Sequence, residues 1–350
     1  MALTLHVDGV RWRGAQDAAL AANPGLVPVV KGNGYGFGRE VLYAEANRLR
    51  VPMIAVGTYA EVPGALRAFS GDVLVMEPFR AAIHTATYPA NHGTTDDGLR
   101  SVDDPRLVHT ITARVDLDGL LAANPAARTV IEGLTSMGRF GAPVGRVGDL
   151  MAAARSEGVT LHLPLGSGHV DEISRFVEAV GGIRAFFVSH TTADEVAALR
   201  RRFPEHRFTA RVGTDLWLAD RDAYEMRSHV LEVRPLAKGD RVGYRQRPQA
   251  AGHLVVVSGG TSHGVAMESP ASAATARSRA VAVAEGMLEA VHRVRSPFTV
   301  GGTMPRFAEP PHMQCSLLAL PEGVPPPAVG DTVPVRMRLT TAYPDAVVIE

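Results

Sequence analysis

The chain has 350 residues, 46% of them hydrophobic, enough to bury a large core and to build one large domain with a smaller one. Lys+Arg and Asp+Glu both number 36, and no run of five like charges occurs, which argues against a nucleic-acid or membrane-surface partner recruited by bulk charge. The single cysteine, Cys315, excludes an internal disulfide and fits a reducing cytoplasm. No apolar stretch reaches the ~18 residues that a membrane helix needs. The N-terminus lacks a basic region followed by an apolar run, so no signal peptide is expected, and no metal is expected either.

In chain order, Val27–Val30, Met53–Val56, Val73–Met76, Thr129–Ile131, Thr160–Leu163 and Ala185–Val188 read as buried strands. Amphipathic stretches lie between them, among them Arg39–Arg50, Val144–Glu157, Asp171–Val180 and Asp194–Phe203. Alternation of strand and helix implies parallel βαβ units, and their number favours an α/β fold with an N-terminal (β/α)8 TIM barrel over an open doubly wound sheet. After Tyr224 the texture changes to short strand-like pieces: Val230–Val233, Arg241–Tyr244, His253–Val257, Val333–Arg338 and Ala346–Ile349. We read residues 1–225 as the barrel and 226–350 as a mainly β domain with a helix inserted over Ser272–Val294 and a stiff triple-proline loop at Pro325–Pro327.

The strongest chemical signal is Val29-Val30-Lys31-Gly32-Asn33-Gly34-Tyr35-Gly36-Phe37-Gly38. A lysine directly after an apolar run sits at a strand's C-terminal end, the face of a barrel where chemistry is done. A desolvated lysine loses its proton readily and suits Schiff-base formation, and the glycines let the backbone approach a bound group. An ordinary lysine entering a glycine-rich turn has the same pattern.

This segment resembles the cofactor-lysine motif of the alanine racemases, fold type III enzymes of pyridoxal 5'-phosphate. The resemblance implies that Lys31 carries the cofactor and that Tyr35 bonds its phosphate; Phe37 departs from it, standing where the family has histidine. Thr135-Ser136-Met137-Gly138-Arg139-Phe140-Gly141 is similar to a second family motif, which implies that Arg139 approaches the cofactor's phenolic oxygen and the substrate carboxylate. Many members orient that arginine with a carbamylated lysine seven positions earlier; here that position is Glu132, whose carboxylate can hold a guanidinium without modification. The match further places His162 against the pyridine ring, with His169 a nearby competitor. It places Ser189 and the backbone of Gly213 and Thr214 on the phosphate, and Arg211 on the pyridine nitrogen. An arginine there keeps its proton, leaving the ring a weak electron sink, which suits racemisation better than transamination.

The resemblance fails on the opposite side of the cofactor. The family's second base is a tyrosine from the partner subunit's β domain; the matching run here is Gly260-Thr261-Ser262-His263-Gly264, with Thr261 in its place. An imidazole suits acid–base work near neutral pH, and His263 is the expected second base. Met313 and Gln314 would line the substrate pocket, with His312 and Cys315 beside them, Cys315 being open to a plain buried role. The expected activity is that of a cytoplasmic, homodimeric amino-acid racemase or epimerase with shared active sites. The alternatives are another fold type III enzyme, such as a decarboxylase or aldolase-like enzyme, and a non-catalytic protein that binds the cofactor.

Overall fold

The computed structural model describes residues 2–84, 104–154, 156–166, 168–182, 185–267 and 295–350. The expected helix at Ser272–Val294 lies outside the described residues. The described chain divides into two compact units: Gly14–Gly34 with Arg39–Ala219, and Met1–Arg13 with Tyr35–Gly38 and Asp220–Glu350. None of its described helices is long and apolar enough to cross a membrane.

The first unit is a closed barrel of eight parallel strands. With β1 (Leu3–Val7) belonging to the other unit, the barrel strands are β2 (Val27–Val30), β3 (Met53–Val56), β4 (Asp72–Pro78), β5 (Leu107–Ile111), β6 (Arg128–Gly133), β7 (Val159–Leu161), β8 (Ala185–Ser189) and β9 (Arg207–Val212). The barrel expectation is met, including all six strands read from apolar runs; β5 and β9 are additional. Helices such as Arg39–Arg48, Val144–Ala154, His169–Val180 and Ala193–Arg202 follow the strands.

Side chains alternate between the two faces of a strand. One set packs inside the barrel as a single cluster: Val27, Val29, Met53, Ala55, Leu74, Val108, Val130 and Phe187. The other set packs outward beneath the helices, with Ile131, Leu161, Phe186, Val188 and Phe208 meeting Leu150, Ile173, Phe176 and Leu199. The inner cluster fixes which later residues face inward: two steps on from Val29 is Lys31, from Val130 is Glu132, and from Phe187 is Ser189. Thr160 and Thr209 pair with Phe187 on the same face, which turns His162 and Arg211 inward as well. Trp217 Nε1 donates to the Val29 carbonyl at 2.8 Å and ties the strand that presents Lys31 to the last barrel turn.

The second unit is a mainly antiparallel sheet. Its later strands are β10 (Tyr224–Leu236), β11 (Arg241–Val242), β12 (Arg247–Pro248), β13 (Gly252–Ser258), β14 (Arg306–Phe307), β15 (Cys315–Pro321), β16 (Thr332–Pro334) and β17 (Ala346–Ile349). The main order is β14-β15-β13-β10-β1-β17, with β16 pairing β10 and with β11 and β12 forming a separate hairpin. β1 runs antiparallel to β10 and parallel to β17, so the chain's first strand is built into the sheet of its last residues. Phe37, the departure from the family motif, is fully buried here: its ring stacks on Trp12 at 4.5 Å and meets Tyr224 edge-on at 5.9 Å. An apolar ring does this packing better than an imidazole, whose ring nitrogens would need partners.

Candidate active site

At the C-terminal end of the barrel, Lys31 stands directly after β2. The turn behind it closes with the Gly34 N–H donating to the Lys31 carbonyl at 3.0 Å. Gly34 has a φ of +64°, and a Cβ on it would lie 2.6 Å from the Arg39 nitrogen, so glycine is required there. Glu61 pins the same turn. Its buried carboxylate accepts the Gly32 N–H and the Gly57 N–H, each at 2.6 Å. A Cβ on Gly57 would sit 3.0 Å from the Lys31 Cβ, so a small residue there leaves room for the lysine stem. Sequence reasoning missed Glu61; its only signal is an acidic residue just after the second apolar run.

Lys31 is exposed at its tip, yet its ammonium is held below the ordinary lysine value. Partial loss of hydration at the barrel rim contributes most, and the positive charges of Arg139 and Arg211 add to it. Arg211 is fully enclosed, and burial brings its guanidinium down to about 10, with the Glu132 carboxylate resisting. Its Nη2 donates to the Leu161 carbonyl at 3.2 Å, while its buried Nε has no partner among the described residues. Glu132 is buried too; burial raises its carboxyl above the usual range, opposed by Arg211 first and Arg139 next, and its Oε2 has no partner among the described residues.

Among the described residues no hydrogen bond or ion pair joins Glu132 to Arg139. Arg139 lies exposed on the loop after β6, its guanidinium 5.1 Å from the Phe140 ring centre. The structure therefore differs from the expected Glu132–Arg139 clamp: the carboxylate's strongest electrostatic partner is Arg211, because both sit on the inward face while Arg139 is on a loop. That loop is held by Ser136, which bonds Glu172 through N–H and hydroxyl, and by the Thr135 hydroxyl on the His162 carbonyl. Gly141, at φ +131°, would place a Cβ 2.3 Å from the Leu134 nitrogen, so the loop returns to β6 only through glycine.

His162 faces inward just beyond β7, whereas His169 opens an outer helix and does not join the inward group. The imidazole of His162 is brought down to about 3, chiefly by desolvation and then by Arg211 and Arg139, so it stays neutral at ordinary pH. Its Nδ1 lies 3.1 Å from the Ser189 hydroxyl, and the His190 ring meets it edge-on at 5.1 Å. Ser189 Oγ also accepts the Leu163 N–H at 3.2 Å. Gly213 precedes the short helix Thr214–Trp217. Tyr35 is buried with φ +54° and belongs to the compact unit that holds the β sheet.

In the β unit His263 is buried and fully engaged. Its Nδ1 accepts the Gly260 N–H at 3.2 Å, with the Ser262 hydroxyl also 3.2 Å away, and its Nε2 lies 3.1 Å from Asp345 Oδ1. The backbone donor fixes the tautomer, with Nδ1 as acceptor and Nε2 carrying the proton. Thr261, Met313, Gln314 and Cys315 line one cleft of about 590 Å³ in this unit, with His312 and Glu309 beside them. Met313 and Gln314 are exposed on its rim. A larger cleft of about 780 Å³ lies at the opposite, N-terminal end of the barrel strands, lined by Glu157, Glu205 and Arg207, on the face that in such barrels serves stability.

The model of the alanine racemase N-terminal domain matches residues 11–219. In structure the chain is similar to alanine racemase from Bartonella henselae with covalently bound pyridoxal phosphate, at 14% identity and a TM-score of 0.67, covering 98% of each chain. It is similar to alanine racemase from D-cycloserine-producing Streptomyces lavendulae at 18% identity and a TM-score of 0.64, covering 100% of this chain and 97% of that one. It is also similar to alanine racemase from Acinetobacter baumannii at 14% identity and a TM-score of 0.64, covering 100% and 99%. No curated protein matches the chain in sequence.

Proposed function

This chain belongs to the alanine racemase N-terminal domain family, and from that membership we propose that it is a pyridoxal-phosphate enzyme acting on the α-proton of an amino acid, as a racemase or epimerase. The observation that carries the reading is the inward group itself: a lysine with a depressed proton affinity beside a buried arginine whose Nε has no acceptor among the described residues. A buried donor without a partner is costly, and an aromatic nitrogen or phenolic oxygen from a bound ring would satisfy it. The residues present therefore fit the cofactor.

Lys31 would hold the cofactor covalently through Nζ, Arg211 would face its ring nitrogen, and Ser189 with the backbone of Gly213 and Thr214 would take its phosphate. When bound, the cofactor supplies the conjugated ring that acidifies the substrate's Cα–H. Lys31 Nζ, at the barrel mouth, would take the proton from the substrate's Cα. Arg211, which keeps its own proton, would leave the ring nitrogen unprotonated and so restrain chemistry beyond proton transfer. His162, held neutral, would add no charge to compete with that arrangement. Arg139, exposed on its loop, would be the group available to a substrate carboxylate.

A lyase of the same fold is the second reading, favoured by the cysteine and histidine in the β-unit cleft. The deciding experiment follows amino-acid α-hydrogens by NMR in D2O with cofactor-loaded protein. Exchange with inversion supports the racemase, and loss of CO2 supports the lyase. A protein that never takes up pyridoxal phosphate, or a Lys31→Ala variant that still forms the borohydride-stable adduct, overturns the cofactor assignment.

A further inference from the structure

Glu309, His312 and Cys315 lie on the hairpin between β14 and β15, wholly within the β unit, and form a connected line. His312 Nε2 is hydrogen-bonded to Glu309 Oε1, and His312 Nδ1 lies 3.9 Å from Cys315 Sγ. The Glu309 side chain is only 2% exposed, and its other oxygen accepts the Arg245 N–H at 3.4 Å. The chain makes room for that carboxylate: Gly243 has φ +75°, and a Cβ there would lie 2.0 Å from the Glu309 carboxyl carbon. Tyr244 covers the imidazole, with ring centres 4.6 Å apart. Pro310 and Pro311 restrict the backbone between Glu309 and His312. The neighbouring loop adds support, as the Thr261 N–H donates to the His312 carbonyl at 2.8 Å and the Ser262 N–H to the Met313 carbonyl at 3.0 Å. A Cβ on Gly260 would lie 2.1 Å from that His312 carbonyl, so the close approach needs glycine.

The order of the three groups decides what they can do. A carboxylate only accepts, so His312 Nε2 carries the ring proton and Nδ1 presents its lone pair toward the thiol. An imidazole held in that tautomer is a base aimed at the Sγ–H. Burial, and then the charge of Glu309, push the thiol above its ordinary value. Cys315 therefore rests protonated, and its proton must leave through a neighbouring base as the sulfur reacts. Fastening the hairpin requires only the contacts of Glu309 with His312 and the Arg245 N–H; a thiol at the imidazole's remaining nitrogen adds nothing to it. Nucleophile, base and a buried carboxylate that orients the base, in that order, are the parts of a catalytic triad.

We propose that Cys315, His312 and Glu309 form a nucleophilic triad that takes the acyl group of a small activated ester or thioester. The cleft of about 590 Å³ lined by the thiol suits such a substrate. Tyr244, Pro311 and Met313 give it apolar walls for an uncharged acyl chain, and Arg245 and Gln314 bring donors for the carbonyl oxygen. As Sγ forms its bond to the acyl carbon, the Sγ–H proton passes to His312 Nδ1. The bond from that carbon to the leaving oxygen or sulfur breaks, and the leaving group takes the proton from His312. Water, deprotonated by the same imidazole, then attacks the thioester carbon, breaks the C–S bond and returns Cys315 to the thiol. No oxidant or reductant is required. Every group involved belongs to the β unit, so the triad stands independently of the racemase reading.

The test uses the full-length protein with p-nitrophenyl acetate. The wild type should release a burst of p-nitrophenolate stoichiometric with the chain, and peptide mapping should place the acetyl group on Cys315. Because this is the single cysteine, alkylating the wild type with N-ethylmaleimide should abolish the burst without any substitution that could disturb folding. His312→Asn should slow the burst about a hundredfold, the size of a lost general base. Its residual rate should climb with pH, because free thiolate is then needed, a signature that a merely structural histidine would not produce. Glu309→Gln should slow the burst less than His312→Asn does. Absence of a burst, an acetyl group mapped to another residue, or a burst that keeps its rate after alkylation or in His312→Asn overturns the triad.

Discussion

Glu61 holds the Lys31 turn, and replacing it with glutamine isolates that function. The carboxylate satisfies two backbone donors at once, Gly32 through one oxygen and Gly57 through the other, each at 2.6 Å. A glutamine has nearly the same shape but only one oxygen; its NH2 would confront an N–H, leaving one amide without an acceptor. A hydrogen bond to a charged group contributes about 1.5–3 kcal/mol. Since each ~1.4 kcal/mol is a tenfold change in an equilibrium, the opening of that amide should rise about ten- to a hundredfold. Amide hydrogen exchange read at Gly32 and Gly57 measures this directly, and one of the two should lose protection by that factor in Glu61→Gln. The same variant should retain less borohydride-trapped cofactor on Lys31, because the lysine's turn is no longer fixed. Unchanged protection at both amides would refute the proposed role, whatever happens to activity.

Other predictions concern the two units separately. His162 is neutral down to about pH 3 when folded but titrates near 6.5 when unfolded, so the unfolded state binds its proton first. Stability should therefore be full above pH 6.5 and fall as pH drops toward 3, and His162→Gln should flatten that slope in thermal melts between pH 6.5 and 4. Gly141→Ala should lower the melting temperature sharply, since a Cβ 2.3 Å from the Leu134 nitrogen forces the loop carrying Arg139 to move; an unaltered melt would contradict the geometry. His263→Asn should destabilise the protein by about 1.5–3 kcal/mol through loss of the Asp345 bond, measured by denaturant unfolding.

Much of the barrel was legible because its strands are short apolar runs between helical periodicities, as at Val27–Val30 and Met53–Val56. β5 and β9 escaped notice because His109, Thr110, Thr209 and Arg211 interrupt their apolar character. Those polar residues are tolerated where buried neighbours or a ligand supply partners, as the Thr110 hydroxyl shows by donating to the Val75 carbonyl. β1 was unreadable for another reason: its partners are β10 and β17, more than two hundred residues away, and no local pattern encodes such pairing. Motif order led to the inward residues Lys31, Glu132, His162, Ser189 and Arg211. It misled about contacts, because spacing along the chain cannot tell that Glu132 faces Arg211 while Arg139 sits on a loop. Glu309 had no local signature and Glu61 only that of an acidic residue after an apolar run; each is recognisable from the backbone it grips or the glycine that admits it.

That contrast separates two kinds of position in the chain. An inward position on a barrel strand is fixed by period-two alternation against a packed interior, so Lys31 and Arg211 cannot move without shifting Val29 or Thr209 and the cluster around Phe187. In the β unit, Gly260–Gly264 and the hairpin from Glu309 to Cys315 are loops whose backbones are joined by hydrogen bonds that do not depend on side-chain identity. Side chains on either loop can be replaced while the backbone frame between them stays the same. His263 does not share that freedom, because its ring caps the Gly260–Gly264 turn and binds it to Asp345. In such a frame a side chain can be exchanged across the β-unit cleft by replacement alone, whereas Lys31 has no alternative position on its strand from which to face the barrel interior.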